Sequence, residues 1–234
     1  MHGIEERVRR RREGVASRQR VRVGIVGFGT VGRATAEILL SHAGEISERT
    51  GGVEIVITRI CRRRVGTSDA ANGVPIVADW RQVAEAEDVD IVVEAMGGTT
   101  TALDVVRSSL ENGKAVVTAN KALIALHGDA LFALAREKDL PIGIEATVAG
   151  GVPVIRAISE ALAADRIHAV YGIVNGTCNY ILTQMEQHGI EFAHALEQAQ
   201  AAGYAEADSS LDIDGLDARD LHSRRCHNQL RELS

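Results

Sequence analysis

Short apolar runs alternate with stretches of helical spacing along much of this 234-residue chain. The runs are rich in valine and isoleucine, which is typical of buried strands. The predicted strands are Val21–Val26, Val53–Ile60, Val89–Ala95, Ala115–Thr118 and Ile142–Glu145. The predicted helices between them are Thr30–Leu40, Thr101–Leu110 and Ala130–Arg136. This alternation predicts an α/β domain with a parallel sheet over residues 21–150.

The pattern changes at Thr147–Pro153, where small residues cluster, and we place a domain boundary there. The elements predicted beyond it are helix Val154–Ala163, strand Ile167–Val174, helix Asn179–Gln187 and helix Glu191–Ala202. Residues 151–217 are therefore expected to form a second, α+β domain. Residues 218–234 are mostly polar and are expected to form a tail that buries little.

Composition narrows the choice of protein class. A net charge of −6 argues against a nucleic-acid partner for the body of the protein. The first 20 residues are basic; they could touch RNA or a membrane surface, but we expect a disordered leader. Three cysteines without CxxC spacing, and no apolar run of membrane-spanning length, predict a cytoplasmic protein with reduced thiols.

A glycine-rich turn lies between the first predicted strand and the first predicted helix. Its six residues are Gly27, Phe28, Gly29, Thr30, Val31 and Gly32. Glycines at these spacings allow a tight turn, close approach of a pyrophosphate, and packing of helix against strand. The turn predicts a dinucleotide site on a doubly wound (Rossmann) sheet, and a glycine turn without a ligand is the alternative.

The ends of the next two strands predict which dinucleotide binds. The second strand is followed by Arg62 and Arg63 rather than by an acid. Guanidinium groups suit a ribose 2′-phosphate, so NADP is expected and NAD is the alternative, as is a solvated arginine loop. Gly97, Gly98 and Thr99 follow the third strand, where the nicotinamide end of the coenzyme is expected unless they form an ordinary turn.

Five motifs in order resemble one enzyme family. They are VGIVGFGTVG, VVTANKALIA, IEATVAGGVPVI, YGIVNGTCNYIL and AGYAEADSSLDIDGLDA. The first is generic and the other four are specific. Over residues 21–217 the chain resembles homoserine dehydrogenase. The resemblance implies reduction of aspartate 4-semialdehyde to homoserine with NADPH or NADH, in threonine and methionine biosynthesis.

The resemblance also implies roles for individual residues. Lys121 matches a lysine that contacts coenzyme and substrate, although a surface lysine opening a helix is the alternative. Glu206 and Asp217 match residues that hold the substrate amino group, and Asp212 matches another acid of the active-site region. Gly203 matches a coenzyme contact. The acids could alternatively belong to a solvated loop.

A sodium site is a further implication of the resemblance. The matching positions, which bind mostly through main-chain oxygens, are Glu145, Val148, Gly150 and Val152. Oxygen ligands suit a hard cation. A hinge of small residues between domains is the alternative, and both interpretations can hold together.

The chain departs from the family where the proton donor is expected. That position holds Leu221, and leucine has no proton to give to the substrate oxygen. His222 is a weak substitute. Compared with the family it resembles, the chain is expected to be a truncated product, with an incomplete α+β substrate domain and a tail altered by a frameshift or a gene-model error. Intact relatives form dimers through the substrate domain, and the departure puts such pairing in doubt here.

Three other interpretations stay open. Cys178, in an Asn-Gly-Thr-Cys turn, could be the nucleophile of an aldehyde dehydrogenase. The chain could be an inactive nucleotide-binding remnant of the family. A zinc site of Cys226, His227 and His222 is the least favoured, because neither ligand number nor spacing matches a structural zinc motif.

Overall fold

A computed structural model of the chain describes residues 19–63, 73–169 and 176–202. Its strands are β1 (Arg20–Val26), β2 (Glu54–Cys61), β3 (Ile76–Val77), β4 (Ile91–Glu94), β5 (Ala115–Thr118) and β6 (Ile142–Gly143). Its helices are α1 (Thr30–Ser41), α2 (Ala43–Arg49), α3 (Arg81–Ala84), α4 (Thr100–Glu111), α5 (Lys121–Glu137), α6 (Val154–Arg156), α7 (Gly176–His188) and α8 (Phe192–Ala201).

The six strands form one parallel sheet in the order β3-β2-β1-β4-β5-β6. The expected parallel α/β sheet is therefore confirmed. The order reverses direction between β1 and β4, which is the switch point where ligands bind in doubly wound sheets.

Alternation along the strands divides the sheet core into two faces. Val23 and Ile25 point to the face packed against α1. Val26 and Val92 point to the opposite face, which carries α3 and α4. Both faces are lined by valine and isoleucine, as expected for a parallel sheet covered on its two sides.

The ends of four strands line up in a single row. Val26 pairs with Cys61 on one side and Glu94 on the other, and Glu94 pairs with Thr118. Because the strands are parallel, the loops that follow them all leave from the same edge.

Two compact units divide the chain. One comprises Met1–Ala119 with Ala133–Gly143, and the other Asn120–Phe132 with Ile144–Ser234, so that the division falls within α5. In the second unit, α7 packs against α8 through Ile181, Ala195 and Ala199. The predicted domain boundary at residue 150 stays a prediction.

Several predicted elements differ from the observed ones. Helix α5 begins at Lys121, so the predicted start at Ala130 is wrong by more than two turns. The strand expected to reach Glu145 ends at Gly143, and a short 3₁₀ turn, Glu145–Thr147, follows. The helix expected over residues 154–163 is the short α6 continued by a π turn, Ala157–Ala161.

One predicted strand and three short elements were also misjudged. Of the strand predicted at 167–174, residues 167–169 belong to no helix or strand and the remainder falls outside the described residues. The sequence did not indicate α2, β3 or α3. Each is short or exposed, so the hydrophobic spacing that marks longer elements is missing.

Candidate functional site

A cavity of about 490 Å³ opens at the carboxyl ends of the strands in the first unit. Its lining residues come from the loops after β1, β2, β3 and β4: Val26, Gly27, Phe28, Gly29, Cys61, Arg62, Arg63, Ala78, Trp80, Ala95, Met96, Gly97 and Thr101. The predicted glycine turn and the predicted arginines therefore lie around one cavity.

Each glycine of the turn meets a different spatial demand. Gly27 has φ +99, and a Cβ there would lie 2.4 Å from the carbonyl oxygen of Ala95. A Cβ on Gly32 would lie 2.0 Å from the carbonyl oxygen of Gly27. A Cβ on Gly29 would meet nothing within 4 Å. Gly27 and Gly32 thus allow tight backbone packing, whereas Gly29 leaves an open surface for a ligand to approach.

Helix α1 begins at that open surface. Gly29 is its N-cap residue, and the structure gives it no side-chain capping bond and no acid in the first turn. Unsatisfied N–H groups and the positive end of the helix dipole favour an anion there. Arg33 donates from Nε to the carbonyl of Phe28 at 3.2 Å and lies over its ring at 5.6 Å, which orients Phe28. This surface fits a pyrophosphate.

The end of β2 supplies positive charge. Arg62 and Arg63 line the cavity, and the Arg62 N–H donates to the carbonyl of Val77 at 3.0 Å, which fixes its backbone. Burial, with the charge of Asp79, raises the pKa of Cys61 to about 11. Cys61 is therefore a neutral thiol at neutral pH, and it adds no negative charge beside the arginines.

Trp80 forms part of the wall beside these arginines. It packs against the core on one side and lines the cavity on the other. The Arg81 guanidinium lies 4.5 Å from the centre of its ring, within cation–π range. The Arg81 backbone N–H donates to Asp79 Oδ1 at 3.0 Å, so this turn is held by local bonds.

The opposite end of the cavity is built from the turn after β4. Ala95, Met96 and Gly97 line it, together with Thr101 from α4. The Ala95 N–H donates to the carbonyl of Val26 at 2.8 Å, which continues the sheet pairing into the turn. The cavity therefore runs from β2 to β4 across the end of β1.

Some predicted coenzyme residues do not line the cavity. Thr30, Val31 and Gly32 are in the first turn of α1, and Thr99 precedes α4, but none of the four lines the cavity. Lys121 opens α5 and is half-buried in the second unit. The positions outside the described residues are Gly203, Glu206, Asp212, Asp217, Leu221 and His222.

The four residues of the expected sodium site lie in one loop of the second unit. The Glu145 carboxylate accepts the N–H groups of Ile155 and Arg156, each at 3.0 Å, and so caps α6. Its carbonyl accepts the Val148 N–H at 3.4 Å, which is long for such a bond. Gly150 and the adjacent Ala149 both have positive φ, and Val152 follows in the same loop.

The remaining candidate features are Cys178, a metal site and a membrane-spanning helix. Cys178 lies in the first turn of α7 and is half-buried. Within residues 19–63, 73–169 and 176–202, no three His, Cys, Asp or Glu side chains cluster as metal ligands. The predicted zinc ligands lie beyond these ranges. None of the helices in the described parts of the chain has the length and apolar character to cross a membrane.

Sequence reasoning missed several lining residues. Trp80, Ala78, Met96 and Thr101 carry no local motif, and they reach the cavity because β3 and β4 flank β2 and β1 in the sheet. The one available signal was the position of Trp80, the only tryptophan of the chain, three residues after the apolar pair Ile76–Val77. Such a signal does not indicate a site by itself.

Comparisons with known proteins also indicate a dinucleotide-binding domain in the part of the chain that forms the cavity. The family model "Homoserine dehydrogenase, NAD binding domain" matches residues 27–145, and "Homoserine dehydrogenase" matches residues 153–221. The Pseudomonas aeruginosa homoserine dehydrogenase is 50% identical over 199 residues, which are 85% of this chain and 45% of that protein.

Solved structures give the same result. The Thiobacillus denitrificans homoserine dehydrogenase has a TM-score of 0.81 at 43% identity, covering 86% of this chain and 47% of that one. A hyperthermophilic archaeal homoserine dehydrogenase in complex with NADPH has a TM-score of 0.73 at 31% identity, covering 86% and 67%. The chain spans about half the length of the curated relatives it matches. The chain has the parallel sheet of a dinucleotide-binding domain, and the family models and relatives match most of its length. It therefore belongs to the homoserine dehydrogenase family.

Proposed function

We propose that this chain forms the coenzyme-binding part of a homoserine dehydrogenase that prefers NADP(H) and interconverts L-homoserine and L-aspartate 4-semialdehyde. The observation that carries the proposal is a cavity that joins an open helix N-terminus to two arginines and that, among the residues the structure describes, has no acid in its lining.

The arginines support the choice of NADP over NAD. An NAD site carries an acid at the end of the second strand to bind the ribose hydroxyls. Here β2 ends at Cys61, which stays neutral, and Arg62 and Arg63 follow. A 2′-phosphate gains charge-assisted bonds from guanidinium groups, while the same groups gain little from a bare hydroxyl. The solved relative that holds NADPH is consistent with this preference.

When bound, the reduced coenzyme supplies the hydride. The residues of this chain bind and orient it: the N–H groups of α1 hold the pyrophosphate and Gly29 leaves it room. In the complete reaction Lys121 stabilises charge on the substrate oxygen. Glu206 and Asp217 hold the substrate ammonium, and Asp212 is a further acid of the active-site region.

The proton donor is the element that this chain lacks. Aldehyde reduction needs a proton at the oxygen as the hydride arrives, and Leu221 occupies the position of the family's lysine. Loss of a general acid commonly reduces a rate by about 10²- to 10⁴-fold. The chain as written is therefore proposed to bind NADP(H) without turning it over at a normal rate.

Binding and turnover are tested on the same preparation. Trp80 is the only tryptophan and lines the cavity, so energy transfer from it to the reduced nicotinamide reports NADPH binding. Homoserine and NADP⁺ are then supplied, and absorbance of NADPH is followed. We expect saturable transfer and no turnover above the blank. Normal turnover would overturn the role given to Leu221, and absence of transfer would overturn the proposed function.

Sodium binding is a separate part of the proposal. The carbonyl oxygens of Glu145, Val148, Gly150 and Val152 are its proposed ligands, and the Glu145 carboxylate adds negative charge while it caps α6. The thermal midpoint should be higher in NaCl than in KCl at the same ionic strength, because only the bound ion stabilises the loop. Equal thermal midpoints in the two salts would contradict the proposed sodium site.

A further inference from the structure

Glu94 is a fully buried acidic residue that has no part in the chemistry proposed above. It is the last residue of β4, and its exposed fraction is 0%. A buried carboxyl group is costly unless hydrogen bonds compensate for the loss of water. Its bonding partners therefore indicate what it does.

The two carboxyl oxygens bond to two different segments. Oε1 accepts the backbone N–H of Met96 at 2.8 Å, and the Thr118 hydroxyl donates to Oε2. Glu94 and Thr118 are paired in register across β4 and β5. The side chain thus ties the turn after β4 to the end of the neighbouring strand.

That turn is a wall of the coenzyme cavity. Met96 and Gly97 line it directly. A Cβ on Gly27 would lie only 2.8 Å from the Met96 nitrogen, so the turn also packs against the glycine loop. A shift of the Met96 N–H would change the cavity at this end.

The order of the strands identifies which half of the coenzyme meets this wall. β2 and β4 flank β1 on opposite sides, so Arg62 and Met96 lie at opposite ends of the cavity. With the pyrophosphate at Gly29 and the 2′-phosphate at the arginines, the nicotinamide half lies against Met96 and Gly97. We propose that Glu94 is a positioning residue that holds this wall in place for the nicotinamide half of the coenzyme, an inference that rests on the proposed function.

Four variants of the full chain test this role. E94M keeps side-chain length but removes the hydrogen bonds to Met96 and Thr118, whereas E94Q can keep these two, because its amide accepts from Met96 and donates to the Thr118 hydroxyl. T118V removes only the hydroxyl at nearly constant shape. S109A is the matched control: it loses an equally buried hydroxyl that donates to Val105 at 2.7 Å within α4.

Two ligands distinguish binding at one end of the cavity from binding at the other. NADPH spans both, while adenosine 2′,5′-bisphosphate lacks the nicotinamide half and so does not reach the wall at Met96 and Gly97. We expect E94M to weaken NADPH binding by roughly tenfold and leave bisphosphate binding unchanged, and T118V to show a smaller loss of the same kind. E94Q and S109A should bind both ligands like the wild type.

The outcomes distinguish this inference from the proposed function. Unchanged NADPH affinity in E94M, or equal loss of both ligands, overturns the positioning role while leaving the coenzyme site intact. If E94M does not fold, T118V decides: selective loss of NADPH supports the role, and wild-type affinity overturns it. Failure of the wild type to bind either ligand is failure of the proposed function itself.

Discussion

Substitutions at single glycines of the turn are expected to affect either coenzyme binding or stability of the fold. Gly29→Ala places a methyl group where nothing lies within 4 Å, at φ −81, so the fold should tolerate it. The same methyl group occupies the surface that the pyrophosphate approaches, and affinity for NADPH should fall at least about tenfold, or about 1.4 kcal/mol. Calorimetric titration measures the affinity, and thermal unfolding the stability.

Gly27→Ala is the matched comparison. It places a Cβ 2.4 Å from a backbone oxygen at φ +99, so it should destabilise the fold by roughly 1–3 kcal/mol. A G29A variant with wild-type NADPH affinity, or a G27A variant with wild-type stability, contradicts the geometry given to the turn.

Lys114 is a buried cation at the amino-terminal end of β5, on the side of the sheet away from the cavity. It is 5% exposed, and its Nζ donates to the carbonyls of Ala86 at 2.6 Å and Val89 at 3.1 Å. Burial lowers its pKa, and neighbouring acids oppose that shift. Lys114→Met should cost about 1–3 kcal/mol of unfolding free energy in denaturant titration, because both charge-assisted bonds are lost. Lys138→Met, at a more exposed lysine, is the control and should change little.

At the scale of elements, ion pairs join the start of β1 to the segment before β4. Asp90 accepts the Arg22 backbone N–H at 2.8 Å and its guanidinium at 2.6 and 3.0 Å. The hydrogen bonds from the Arg22 side chain hold the pKa of Asp90 below its ordinary value of 3.8. Arg59 does the same for the pKa of Asp88, again chiefly through side-chain hydrogen bonds.

The sign of the pH dependence follows. Between the lowered folded pKa and 3.8, the unfolded chain binds more protons, so stability rises with pH there. The contribution is complete above 3.8 and is lost as pH falls through the folded pKa. Asp90→Asn should be less stable than the wild type at neutral pH, and the difference should vanish at low pH. A difference that stays constant from pH 7 to pH 2 would contradict the assignment. The pair is partly exposed, so the effect is modest.

Helix ends provide a second test at this scale. Gly113, at φ +74, follows the end of α4, and the Lys114 N–H donates to the carbonyl of Ser109 at 2.9 Å. α5 ends with the same bond pattern, but the residue with positive φ is Asp139, at φ +54. Asp139→Gly should stabilise the fold by roughly 1 kcal/mol in thermal unfolding, and Asp139→Ala should not, because only glycine relieves the left-handed conformation. Equal midpoints for the two variants would exclude that explanation.

The start of α5 shows where local patterns misled the prediction. The predicted helix begins only at Ala130, after Gly128, whereas α5 begins at Lys121 and includes that glycine. Asn120 is the residue that sets the start: its Oδ1 accepts the Leu123 N–H at 3.0 Å, which is a capping bond. The glycine penalty, about 1 kcal/mol, is smaller than the gain from capping and from burying Leu123 and Ile124.

For the whole molecule, the sequence could predict the parts that depend on local pattern. The valine-rich strands and the glycine turn have strong periodicity and spacing, so the sheet and one wall of the cavity were foreseen. Trp80 and Met96 were not, because they reach the cavity only through the strand order. The role of Glu94 depends on pairing with Thr118, which no local pattern contains. The roles of Glu206, Asp212 and Asp217 still rest on resemblance.

The most direct test uses calorimetric titration to compare the affinities of this chain for NADPH and NADH. Wild-type protein should bind NADPH at least about tenfold more tightly, because charge-assisted bonds to the 2′-phosphate contribute about 1.5–3 kcal/mol. Replacing Arg62 and Arg63 together with glutamine should abolish the preference, whereas Arg107→Gln, an exposed arginine on α4, should not. Equal affinity of the wild type for the two coenzymes, or no binding of either, would contradict the account.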